Sequence, residues 1–183
     1  AEGRLEMIAE LNHEINNPLQ ELLTRVELEE AIVQPALQVG VLFEAGLVPQ
    51  MYELARRIKV NLAVSLNATT DEVRDLLMPI NKKYPLKELM AACRDYPLGP
   101  RQKITFEYIL MKGVNDSLAD ARRLAKLLRP VKAKINLIPF NPFPGTNYRV
   151  STQARIDKFR DVLMQAGLIT VTRKTRGDDI DAA

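Results

Sequence analysis

From Gly46 onward the sequence keeps one rhythm: short apolar, β-branched runs alternate with amphipathic segments of helical length, separated by turn residues. Val60–Leu66, Ile104–Leu110, Lys134–Ile138 and Leu168–Arg173 have the composition of strands. Between and around them lie helical segments: Val48–Ile58, one started by the capping-box spacing of Thr69-Thr70-Asp71-Glu72, with Thr69 in the cap position, and running to about Leu77, and Leu86–Tyr96 with Pro85 as its first helical position. A further helix runs from the turn Asn115-Asp116-Ser117 to about Leu128, and the last from Ser151 or Thr152 to Ala166, where Gly167 ends it. Strands separated by helices are joined by crossovers, and crossovers make neighbouring strands parallel. The pattern therefore predicts an α/β fold. It leaves open whether the sheet is curved and barrel-like or flat and doubly wound.

The first 45 residues are different in kind. Leu5, Ile8, Ile15, Leu19, Leu22 and Val26 form an apolar stripe at helical spacing, with Pro18 inside it as a kink or a new start. Pro35 and Gly40 break that pattern, and Val39–Phe43 has the composition of a short strand. Residues 1–45 hold nine acidic and two basic side chains, a net charge of −7, whereas the remaining 138 residues sum to +10. Two regions are expected on this basis: an acidic helical head over 1–45 and an α/β body over 46–183. The basic surplus of the body is compatible with a nucleic-acid partner, and equally with the solvated surface of an ordinary domain.

Other classes are excluded more firmly. No apolar run approaches the roughly 18 residues of a membrane span, so no membrane association is expected. A single cysteine, Cys93, forbids an internal disulfide framework and points to a reducing, cytoplasmic setting. Cys93 shares a helical stretch with Leu86, Leu89 and Met90 and reads as a small buried apolar residue. No metal-ligand cluster is apparent in the sequence.

In parallel α/β proteins, ligands gather at the C-terminal ends of strands, where loops vary without disturbing the core. Ser65 and Asn67 lie at one such end, and Asn141 lies three residues past another, in a loop stiffened by Pro139, Pro142 and Pro144. A hydroxyl and two amides can hold a carboxylate, an amine or ribose hydroxyls. The same residues could instead be turn formers bonding their own backbone.

A family resemblance bears on that choice. Gly46-Leu47-Val48-Pro49, Val64-Ser65-Leu66-Asn67-Ala68, Pro79-Ile80-Asn81-Lys82-Lys83-Tyr84, Thr105-Phe106-Glu107-Tyr108 and Gly113-Val114-Asn115-Asp116 occur in this order. Ile138-Pro139-Phe140-Asn141-Pro142-Phe143-Pro144-Gly145 and Arg173-Lys174-Thr175-Arg176-Gly177-Asp178-Asp179-Ile180-Asp181-Ala182-Ala183 follow. Together they resemble the C-terminal part of the radical-SAM RNA methyltransferases that methylate adenine at C2, the RlmN/Cfr type. The resemblance implies a partial (β/α)6 barrel, S-adenosylmethionine (SAM) as cofactor and 23S rRNA, with tRNA in many members, as substrate. It assigns SAM contacts to Ser65, Leu66, Asn67 and Asn141.

The same resemblance marks what this chain lacks. The family's Cys-x3-Cys-x2-Cys motif, which holds a [4Fe-4S] cluster, would lie before position 1. Its Gly-Glu motif for the SAM amine is missing, Phe43–Ala45 stand in place of a Ser-Thr-Ser tract, and Ala183 stands one residue before the methyl-accepting cysteine. The chain taken alone is therefore expected to be a truncated or fused, catalytically incomplete portion, with no catalytic residue of its own. Arg173, Lys174 and Arg176 are candidates for phosphate contact, although Asp178, Asp179 and Asp181 beside them are ready pairing partners. In the head, His13-Glu14-Ile15-Asn16-Asn17-Pro18-Leu19 resembles the H-box of sensor histidine kinases, with His13 as phosphoacceptor in an alternative signalling or dimerisation reading. An open barrel edge, or the head helix, is expected to favour self-association.

Overall fold

The structure, a computed structural model, describes residues 37–40, 60–143 and 145–173. Five strands form one sheet: β1 (Leu37–Gly40), β2 (Val60–Ser65), β3 (Ile104–Leu110), β4 (Ala133–Pro139) and β5 (Ile169–Thr172). All four neighbouring pairs are parallel, and the spatial order is the chain order, β1-β2-β3-β4-β5. Among the described strands this order shows no reversal. A doubly wound sheet reverses its strand order at a switch point, whereas a barrel adds each strand beside the last. The described sheet is an open run of the second kind, an α/β arrangement as expected.

Among the described residues four helices accompany the strands: α1 (Asp71–Leu77), α2 (Leu86–Asp95), α3 (Leu118–Leu128) and α4 (Gln153–Gln165), with a 3-10 turn over Pro79–Lys82. Leu62, Val64 and Leu66 of β2 and its end, and Ile104, Phe106, Tyr108 and Leu110 of β3, alternate onto one sheet face. There they share a core with Leu89 and Cys93 of α2, Leu124 and Leu128 of α3 and Phe159 and Leu163 of α4. Each large side chain taken fully out of water contributes about 1.5–3 kcal/mol, so this helix-covered face dominates the stability of the domain. Tyr108 is fully buried, its ring centroid 5.5 Å from that of Phe159, and its hydroxyl donates to the carbonyl of Asn115 at 2.9 Å.

Most element limits agree with the sequence to within a residue or two, and the differences have local causes. Thr70, not Thr69, caps α1, its hydroxyl accepting from the Val73 amide. Thr69 is engaged elsewhere, donating to Asp120 on α3 at 3.1 Å and accepting from Arg123. Pro85 is the N-cap of α2 rather than its first residue, in the extended conformation a cap requires. Ser117 caps α3 in a complete capping box with Asp120. Gly167, at φ +82°, closes α4: its amide bonds to Met164 and that of Leu168 to Leu163, the paired bonds of a Schellman ending. β1 begins two residues before the expected Val39. The expected head helix, the helix over 48–58 and His13 lie outside the described residues.

Candidate active site

Two loops at the C-terminal end of the sheet hold the residues singled out by sequence. The first follows β2. Leu66 has no exposed surface, and both its main-chain groups are paired: its amide donates to Glu107 O at 2.9 Å and its carbonyl accepts from Arg74 Nε at 3.1 Å. Asn67 turns the chain at φ +55°, a left-handed conformation that asparagine tolerates better than most residues. Its Oδ1 accepts from the Ile109 amide at 2.9 Å, bridging to β3, and its Nδ2 points at the sulfur of Met78 at 3.5 Å. Asn67 is thus first a staple across the sheet, with one amide donor less fully engaged. Ser65 is half-buried, and its hydroxyl makes no hydrogen bond among the described residues.

Two residues that sequence reasoning passed over hold this turn in shape. Arg74 is only 4% exposed, though arginine is rarely buried without a reason. Besides Leu66 O, its guanidinium reaches Asn81 Oδ1 at 2.7 Å and, at a long 3.5 Å, Ser65 O. Asn81 in turn donates to Asp71 Oδ1 at 3.0 Å and Asp75 Oδ1 at 2.7 Å, and Asp71 Oδ1 also accepts from the Leu86 amide. Burial lowers the Arg74 pKa, and Asp71 nearby opposes that shift; an arginine stays charged regardless. Asn115, 1% exposed, is the second support. Its Nδ2 donates to Asn67 O and to Ile109 O, both at 2.7 Å, and its Oδ1 accepts from the Met111 amide at 2.8 Å. The sequence around them, Asp71-Glu72-Val73-Arg74-Asp75 and Gly113-Val114-Asn115-Asp116-Ser117, is polar and does not mark either as buried. Only folding shows which carbonyls they meet.

The second loop follows β4. Phe140 is buried and its amide bonds to Leu110 O at 3.1 Å; its ring lies 6.2 Å from Phe143 and 6.0 Å, edge-on, from Tyr148. Further along, Lys112 N donates to Arg149 O, and Ser151 Oγ donates to Asp116 Oδ2 at 2.8 Å, tying the loop's far end to the turn after β3. Asn141 stands exposed between these anchors, and its side chain makes no hydrogen bond among the described residues. Ser65 and Asn141 are therefore brought to the same end of the sheet with their polar groups free, while Leu66 and Asn67 build the turn. Arg173 is exposed at the end of β5, its amide bonded to Leu137 O. Lys174 and Arg176 lie outside the described residues.

Cys93 is 1% exposed, and burial pushes its thiol up to about 12 against the weaker opposing pull of Arg74. A thiol held protonated is neither nucleophile nor cluster ligand. Among the described residues no group of three His, Cys, Asp or Glu side chains could hold a metal ion. With one cysteine in the whole sequence, the donor set does not fit an iron–sulfur cluster, which needs several thiolates. No helix among the described residues is long and apolar enough to cross a membrane.

The geometry can be set beside known proteins. No protein-family model matches the chain. Curated relatives do. It is 58% identical over 139 residues to a dual-specificity RNA methyltransferase RlmN of Syntrophotalea carbinolica, covering 76% of this chain and 38% of that protein. It is 55% identical to that of Geotalea uraniireducens, over 76% of this chain and 40% of the relative, and 57% identical to that of Sinorhizobium medicae, over 76% and 34%. The chain spans about two fifths of the length of these relatives. A radical SAM methyltransferase from Sphaerobacter thermophilus superposes with a TM-score of 0.70 at 42% identity, over 81% of this chain and 42% of that one. A domain of a pyruvate-formate lyase-activating enzyme from Bacteroides vulgatus shares the fold alone, with a TM-score of 0.60 at 15% identity over 87% of this chain and 96% of its own. By sequence and by fold, three quarters of this chain match part of the RlmN-type radical-SAM methyltransferases.

Proposed function

We propose that this chain is the SAM-holding portion of a methyltransferase acting on C2 of adenine in 23S rRNA, and on tRNA where members act on both. The observation that carries the reading is the placement of Ser65 and Asn141. These two polar side chains, which make no hydrogen bond among the described residues, come from the end of β2 and the loop after β4 and stand at one end of a parallel sheet, the first beside a turn held rigidly from behind. In this proposal residues 46–183 form most of the barrel portion, β1 joins it by pairing with β2, and the residues before β1 are a separate head.

In it, Ser65 and Asn141 offer hydroxyl and amide groups to the ribose or amino-acid end of SAM, and Asn67 adds the amide donor that faces only Met78. Rigid presentation lowers the ordering cost of binding. Bound SAM supplies the methyl group for transfer. Arg173, with Lys174 and Arg176, would meet RNA phosphates beside the site. The chain's own residues bind and orient, and thiolates for a cluster or a methyl carrier must come from outside this sequence, so isolated turnover is not expected.

Calorimetric titration of the chain with SAM tests the reading. Saturable binding that weakens about tenfold in Asn141→Ala, with an unchanged melting temperature, supports it. SAM affinity indifferent to Asn141 rejects the assigned site.

A further inference from the structure

At the opposite end of the sheet, where the strands begin, the described residues enclose a cavity of about 600 Å³. It is lined by the start of β2, the loop over 97–103 and the start of β4. Asn61 is the second residue of β2, Lys103 immediately precedes β3, and Lys134 is the second residue of β4. The pairing of Ala63 with Thr105, and of Thr105 with Lys134, sets these positions side by side. Their strand neighbours Leu62, Ile104 and Ile135 alternate to the other face and join the helix-covered core. Arg101 brings a third cation to the cavity from the loop.

No carboxylate among the described residues lines this cavity, and Arg101, Lys103 and Lys134 make no ion pair among them. Positive charges gathered around a concavity repel one another and focus a positive field into it. A bound anion relieves that repulsion, and one guanidinium with two ammonium groups can serve several oxygens at once. Half-buried Asn61 adds an amide donor. The loop is also held in shape. Pro97 and Pro100 restrict its backbone, and Gln102 Oε1 accepts from the Gly99 amide at 2.8 Å. Cavities of about 300–1,000 Å³ suit small molecules, whereas a nucleic-acid strand runs along an extended groove.

We propose that this cavity binds a small anion carrying several phosphates, of the size of a nucleoside di- or triphosphate. Lys103 and Lys134 are its charge partners, and Arg101 is its forked phosphate ligand. The site lies at the end of the sheet away from Ser65 and Asn141, so it is independent of the SAM reading.

Calorimetric titration of the chain with inorganic triphosphate tests this, at about 0.15 M salt so that loose surface attraction is screened. The expected result is saturable one-to-one binding, weakened about tenfold or more in the double variant Lys103→Gln, Lys134→Gln. Its melting temperature should not fall, because the change relieves repulsion. Arg101→Gln, at an exposed loop residue, should weaken binding as well. The double variant Lys126→Gln, Lys158→Gln removes the same charge from α3 and α4 and should leave the affinity unchanged. ATP is expected to displace the triphosphate. No saturable binding by the unaltered chain, or equal losses in both double variants, overturns the site, as does unchanged affinity in Arg101→Gln and in Lys103→Gln, Lys134→Gln. Displacement by a short single-stranded RNA but not by ATP assigns the cavity to an RNA backbone and overturns the small-ligand reading.

Discussion

The loop after β2 and the loop after β4 meet at one end of the sheet but are built on opposite plans. In the first, the backbone is bonded from behind by Arg74, across the sheet by Asn67 and from beneath by Asn115. In the second, the two ends are fastened, by Phe140 at one and by the Lys112–Arg149 and Ser151–Asp116 bonds at the other, and Asn141 stands exposed between them. Buried polar networks, once fully satisfied, fix one geometry. Exposed loops leave side chains free to adapt to what they bind.

Substitution at Arg74 is the harshest way to break this contrast. Arg74→Met removes the donor to Leu66 O and to Asn81 Oδ1 and leaves both acceptors buried. Hydrogen bonds to charged groups are worth about 1.5–3 kcal/mol each, so urea denaturation should show a loss of about 3–5 kcal/mol. A loss under about 1 kcal/mol would mean the turn holds its shape without the guanidinium.

Asn67→Ala is intermediate. It strands the Ile109 amide and puts a side chain without local hydrogen bonding at φ +55°. The expected cost is about 1–3 kcal/mol, and the amide proton of Ile109 should exchange faster with solvent. Slow exchange at Ile109 in that variant would contradict the bridging role.

Asn141→Ala should barely register in the same denaturation experiment, within about 0.5 kcal/mol, as surface changes away from packed features do. Its effect belongs in the ligand titration. A large stability loss at Asn141 would show that the second loop is fastened between its ends as well, and the contrast between the loops would fail.

Sequence and structure met unevenly across these regions. The strands, the capping of α3 by Ser117 and the ending of α4 at Gly167 were legible because each depends on neighbours a few residues away. The shift of the α1 cap to Thr70 was not, because Thr69 is drawn to Asp120, fifty-one residues further on. The site divides in the same way. Ser65, Asn67 and Asn141 could be named from their positions after strands. Yet the motif treats Ser65, Leu66 and Asn67 alike, and the fold gives them three roles: an open hydroxyl, a buried core residue and a cross-strand staple.

What the sequence determined by itself was the alternation of strand and helix, and with it a parallel sheet, because hydrophobic period and turn chemistry are local properties of the chain. Its motifs likewise carried the family resemblance without any coordinates. Tertiary structure alone decided the strand order, the burial of Arg74 and Asn115 against carbonyls of the β2 turn, and the meeting of Lys134 with the loop of Arg101 and Lys103 around one cavity. Each of these is a contact between residues distant in sequence. Whether a polar atom is left free or satisfied depends on which distant partner folding brings within about 3 Å of it, and no local pattern encodes that.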